Sequence, residues 1–97
     1  MLFSIVCVDK PNSVQLRMDT RPEHVEHLKA HADRLLLAGP NLAEDGTTSI
    51  GSILIFQAET AAEAKAFADA DPYTKAGLFD SVTIKGFRKV LVKPELE

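Results

Sequence analysis

Three histidines, His24, His27 and His31, stand close together in the first third of the chain and are the side chains best suited to move protons or hold a cation. On a helix turning about 100° per residue they share one side. Two or three imidazoles on adjacent turns can bind a metal ion. No cysteine or evident carboxylate completes a tetrahedral set here, so a histidine-rich flank is the plainer account and no metal is expected. His27 points furthest from the expected core and should be solvated. His24 differs, because it falls in what reads as the first turn of the helix. There the helix dipole disfavours a positive charge and would keep its imidazole neutral at neutral pH. A neutral, partly buried imidazole at a core edge is what a general base requires. The same spacing equally suits a histidine that only packs and finds one backbone partner.

Such a base needs a carboxylate to fix its tautomer and stabilise the imidazolium. Asp33 is nine residues further along and would face the opposite side of the helix. Asp19 suits a local cap. Asp71 precedes Pro72 at the end of a second helical pattern, with its side chain free to point across a sheet edge. Asp-Pro also simply ends helices, and spacing alone does not pair Asp71 with His24. Ser52, after Gly51, offers a hydroxyl to a ligand or is a plain strand-edge serine. Tyr73 offers a phenol or packs over a helix end. Gly39-Pro40 allows close backbone approach or marks a bulge. Arg21 suits an anionic ligand near a helix N-terminus or a surface ion pair. Cys7, within an apolar run and without an activating neighbour, reads as core. Phosphate-loop, dinucleotide and nucleophile-elbow motifs do not occur.

The elements that would carry these residues follow from periodicity. Leu2–Val8 is a buried strand. Thr20 and Glu23 have capping-box spacing around Pro22, which predicts a helix from about Asp19 to Leu36 with Val25, Leu28, Ala32 and Leu35 as its buried stripe. Leu36–Ala43 reads as a strand, irregular around Pro40. Asp45-Gly46 marks a turn into a third strand, Gly51–Ala58, so the two form an antiparallel hairpin. Thr60 and Glu63 cap a second helix from Ala61 to about Ala70, which Asp71-Pro72 ends. Thr74–Asp80 is a connector, and Ser81–Val92 a long last strand. The order β-α-β-β-α-β predicts an α+β, ferredoxin-like fold, a four-stranded antiparallel sheet with two helices on one face. Apolar residues occur at both parities of the first and third strands, so the uncovered face is expected to meet a second copy.

Composition sets the outer bounds. The chain has 97 residues, 45% hydrophobic and 26% charged, with a formal charge of −3, which suits one domain over residues 1–97 with no disordered stretch. The basic residues are scattered, which argues against nucleic acid. No apolar run is long enough for a bilayer. The apolar start lacks a basic leader and a cleavage pattern, so it reads as a strand and not a signal peptide. One cysteine and these features fit the cytoplasm.

Arg21-Pro22-Glu23-His24-Val25-Glu26-His27-Leu28, Leu37-Ala38-Gly39-Pro40, Gly51-Ser52 and Asp71-Pro72-Tyr73-Thr74-Lys75-Ala76-Gly77-Leu78 occur in this order across nearly the whole chain. By these stretches the chain resembles the YCII (YciI-like) family. The resemblance implies a dimeric ferredoxin-like α/β barrel with a pocket histidine and aspartate, proposed as a catalytic dyad, which fall on His24 and Asp71. One branch of the family resembles a dehydrochlorinase of a chlorinated hydroxyhydroquinone. The expectation is a small enzyme without metal or organic cofactor, doing elimination, dehydrochlorination or tautomerisation on a small, possibly aromatic molecule. Ser52, Gly39, Pro40, Tyr73 and Arg21 would line its pocket. The alternative is a module that binds or senses a small ligand without chemistry. A cofactor-free oxygenase is a third possibility, against which the scarcity of aromatics weighs.

Overall fold

A computed structural model describes residues 1–96. Its elements run β1 Leu2–Asp9, α1 Val14–Ala30, a 3-10 turn Ala32–Arg34, β2 Leu35–Leu42, β3 Ser49–Gln57, α2 Ala61–Asp69, α3 Pro72–Lys75 and β4 Phe79–Phe87. The strands form one antiparallel sheet in the order β2-β3-β1-β4. With the two long helices this is the ferredoxin-like α+β architecture.

The period-2 rule sets which side chains make the core. Phe3, Ile5 and Cys7 of β1 lie beside Phe56, Leu54 and Ser52 of β3 on the helix-covered face. Ala64, Phe67 and Ala68 of α2 close over them, and Leu28 of α1 packs at the edge. Phe56 and Phe67 stack with centroids 4.0 Å apart, and each such ring buried contributes about 1.5–3 kcal/mol. Gly51 has a steric reason to be glycine. A Cβ there would fall 2.5 Å from the Cys7 carbonyl oxygen, so its smallness lets β3 lie against β1 next to Ser52.

Three element boundaries differ from the periodicity. Helix α1 begins at Val14, well before Asp19, and its Ser13 N-cap makes no side-chain bond. The Thr20/Glu23 spacing therefore lies inside the helix and caps nothing. Pro22 sits within it as well, at the cost of one helical N–H. The helix ends at Ala30, and Leu35 and Leu36 belong to β2. The buried residues of α1 are Arg17 and His24, so no apolar stripe announces its first turns.

Strand β2 is irregular at Leu36 and between Asn41 and Leu42, while Pro40 itself pairs in register with Ser52. As an edge strand β2 tolerates a proline that cannot donate. Strand β4 stops at Phe87, because Leu2 opposite Phe87 is the last pair that β1 offers. The apolar Val90-Leu91-Val92 that read as strand has no neighbour to pair with and stands exposed.

The other elements follow their local signals. Asp45 accepts the Thr47 and Thr48 N–H groups and Gly46 takes φ 72°, closing the β2–β3 hairpin. Thr60 Oγ1 accepts the Glu63 N–H to cap α2. The segment read as a connector after Asp71 contains the short helix α3. Leu78 N–H bonds to the Tyr73 carbonyl and Gly77 N–H to that of Thr74, a Schellman closure in which Gly77 takes φ 76°. That closure fixes Tyr73 and seats Leu78 in the interior.

Candidate active site

Asp71 caps α3. Its Oδ1 accepts the Tyr73 N–H at 2.9 Å, and Pro72 at the first helical position holds the turn. This fixes a carboxylate between α2 and α3, aimed at α1. His24 meets it there, with Nδ1 2.9 Å and 3.0 Å from the two carboxylate oxygens. A carboxylate only accepts, so Nδ1 carries the hydrogen and donates. Both residues are buried. The Tyr73 ring stacks on the imidazole at 3.9 Å and 16°, fixing its plane.

His24 Nε2 has no partner among the described residues, and no buried side-chain nitrogen or oxygen among them lacks one. Nε2 is therefore not sealed in protein. His24 forms part of the wall of a cavity of about 480 Å³ between α1, β2, β3 and the β2–β3 turn. An imidazole held at one nitrogen by a carboxylate and open at the other is equipped to accept a proton.

The expected contact residues Ser52, Gly39, Pro40, Tyr73 and Arg21 all line this cavity, while Asp71 stands behind His24. Ser52 and Tyr73 are buried and Arg21 is exposed. A Cβ on Gly39 would meet nothing in the chain, so no close approach within the protein demands glycine there. His24 is mid-helix and not in the first turn, so the helix-dipole argument for its neutrality does not apply. The Asp71 carboxylate is its dominant neighbour.

His27 corrects another expectation. It is half-buried, its Nε2 donates to the Phe67 carbonyl at 3.0 Å, and its ring stacks on Phe67 at 4.7 Å. Burial lowers its pKa. His31 donates from Nδ1 to the His27 carbonyl. The three histidines thus serve three different partners, and among the described residues no three His, Cys, Asp or Glu side chains converge as metal ligands.

Two site residues escaped the sequence. Arg17 is buried and forked onto Asp9, with Nε at 2.7 Å from one oxygen and Nη2 at 2.9 Å from the other. Its Nη2 also donates to Ser52 Oγ at 2.9 Å, and the guanidinium lies 4.6 Å from the Tyr73 ring centre. Burial opposes its charge, but the hydrogen bond and charge of Asp9 outweigh that and raise its pKa. Burial raises the Tyr73 phenol, with Arg17 and Arg21 pulling the other way. The Cys7 thiol beneath the site is pushed up to about 12 by burial and then by Asp71, which suits the core role expected of it. A signal for Arg17 existed: Arg17, Arg21, His24 and Leu28 recur at helical spacing on the face that lines the cavity.

The chain is similar to known proteins over almost all of its length. The YCII-related domain profile matches residues 1–88. Protein YciI of Escherichia coli O6:H1 is 40% identical, covering 93% of this chain and 99% of its own. The solved structure of 5-chloro-2-hydroxyhydroquinone dehydrochlorinase (TftG) from Burkholderia phenoliruptrix AC1100, in complex with 2,5-dihydroxybenzoquinone, superposes with a TM-score of 0.84. It is 35% identical and covers 91% of this chain and 94% of that one. An antibiotic biosynthesis monooxygenase shares the fold, with a TM-score of 0.56 at 14% identity over 94% of this chain and all of the other.

Proposed function

The chain belongs to the YCII-related family, and from that premise we propose that it is a small acid–base enzyme acting on a hydroxylated ring, with His24 as base and Asp71 as its orienting partner. The observation that carries this reading is the His24 Nδ1 contact with Asp71 at 2.9 Å, with Nε2 left open on the cavity. The likeness to a dehydrochlorinase supports it.

In this mechanism a ring hydroxyl gives its proton to Nε2, and the Asp71 carboxylate stabilises the imidazolium that forms. The electron pair left on oxygen becomes a carbonyl π bond. The displaced ring electrons then take a proton at carbon, a tautomerisation. Where that carbon carries chloride, a second ring hydroxyl then loses its proton and its electrons, relayed through the ring, expel the chloride with its bonding pair, an elimination. Neither outcome changes the redox state of the protein, and neither calls on a metal or an organic cofactor. Ser52 Oγ accepts from Arg17, so its own hydrogen is free to turn towards a ligand.

The test is chloride release from 5-chloro-2-hydroxyhydroquinone by the native protein and by His24→Ala. The expected result is turnover that falls roughly 10²- to 10⁴-fold in the variant. Equal turnover in the two would remove His24 from the chemistry. A native protein that binds 2,5-dihydroxybenzoquinone and turns over no chlorinated hydroxyhydroquinone would favour the binding module.

A further inference from the structure

The charges of the site are arranged in depth. Two guanidiniums, Arg17 and Arg21, and one imidazole, His24, are on the cavity wall, and among the described residues no carboxylate is. Both carboxylates of the site lie behind that wall, Asp9 under Arg17 and Asp71 under His24. A ligand therefore meets donors and positive charge first.

Arg17 is built to be such a donor. Its Nε and Nη2 are spent on Asp9 and Ser52. Arg17 also interacts with the Tyr73 side chain, but its Nη1 makes no hydrogen bond of ordinary length to a described residue, and no buried side-chain nitrogen there is unpaired. Nη1 is therefore open to the cavity that Arg17 lines, although the residue as a whole is only 5% exposed. The fork onto Asp9 holds the guanidinium plane, so its free N–H groups are aimed before any ligand arrives. Arg17 and His24 are two turns apart on α1, about 10 Å along the axis. Each touches the Tyr73 ring, which bridges the gap between them. A planar ring lying in the cavity between Arg17 and His24 would offer one oxygen to Nε2 and a second to Nη1.

We propose that the cavity selects a ring bearing an ionised oxygen, and that Arg17 binds that oxyanion through Nη1, with Arg21 adding charge at the exposed side. This rests on the acid–base reading above and names its substrate class. Asp9 pairs with Arg17 and Asp71 with His24, so Asp71 balances the imidazolium that forms and the Arg21 charge is left to match the negative charge on the ligand.

The experiment is calorimetric titration with 2,5-dihydroxybenzoquinone, a vinylogous acid ionised at neutral pH, and with its neutral dimethyl ether. Because Arg17→Gln alone would strand the buried Asp9 carboxylate, the working variant is Asp9→Asn/Arg17→Gln, with Arg17→Lys beside it and circular dichroism to show folding. Native protein should bind the anion at least about tenfold more tightly than the ether. The double variant should lose roughly ten- to hundredfold for the anion and little for the ether. Arg17→Lys, which keeps charge but not the fork, should fall between them. Equal native affinity for the two quinones, or a folded double variant with native affinity for the anion, overturns the proposal. The two readings fail separately. Turnover that needs His24 but ignores Arg17 sinks this one alone. Anion selectivity that needs Arg17, in a protein that turns nothing over, sinks the acid–base reading alone.

Discussion

At the scale of the residue, Asp71 carries two duties on one carboxylate. It accepts the Tyr73 N–H that starts α3, and it accepts the His24 Nδ1 hydrogen. Asparagine keeps an oxygen for either duty but removes the negative charge and brings an NH2 that can turn the imidazole to its other tautomer. Asp71→Asn should therefore fold, with a melting temperature within a few degrees of native. It should lose about 10²- to 10⁴-fold in chloride release from 5-chloro-2-hydroxyhydroquinone. Undiminished release from a folded Asp71→Asn protein would reduce the carboxylate to a helix cap. His24 and Asp71 were each visible in the sequence, but their contact was not. It depends on where α1 starts and on a turn that only the folded chain closes.

At the scale of the element, legibility followed how much of each segment's burial is apolar. Strands β1 and β3 and helix α2 bury aliphatic and aromatic side chains, and their patterns gave them away. Helix α1 buries an arginine and a histidine, and its true start carries no side-chain cap, so its functional face hid its beginning. Strand β4 was over-read for the opposite reason, since apolar residues alone do not make a strand without a partner edge. A stripe drawn through Ala32 and Leu35, which lie beyond the end of α1, also misplaced His27, which the structure sets on the α1–α2 seam against Phe67. Burial lowers the His27 pKa, so its folded value lies below the unfolded one near 6.5. Between the two values the unfolded chain binds more protons, so stability rises with pH there. The His27 contribution is fully present above about pH 6.5 and is lost as pH falls towards the depressed value. Urea midpoints at pH 7.5 and 5 should differ by more in native protein than in His27→Gln, by a modest amount because the ring is only half-buried. An equal pH slope in the two proteins would show that the seam is indifferent to His27.

At the scale of the molecule, the sheet has a second face that the helices do not cover. Val6 and Ile53 sit side by side on it, next to Val8, and the residues of that parity on the two central strands, Leu2, Ser4, Val6, Val8, Gln57, Ile55, Ile53 and Gly51, carry not one charge, with Ile55 and Gly51 already buried within the chain. Val8 is 48% and Ile53 37% exposed. An uncharged apolar patch at the middle of a sheet is what a chain this small would bury against another sheet, and sheets stack face to face about 10 Å apart. A second copy offers the same patch, so a two-fold axis through the face matches Val6 and Ile53 with their equivalents. The proposed assembly is thus a homodimer through the open faces. Native protein at micromolar concentration should sediment at twice the chain mass. Val6→Glu would set two carboxylates into that interface and should sediment as a monomer, while Lys89→Glu, in the segment after β4, should leave the dimer intact. A native monomer, or a Val6→Glu protein that stays dimeric, would mean that the open face is not where the copies meet.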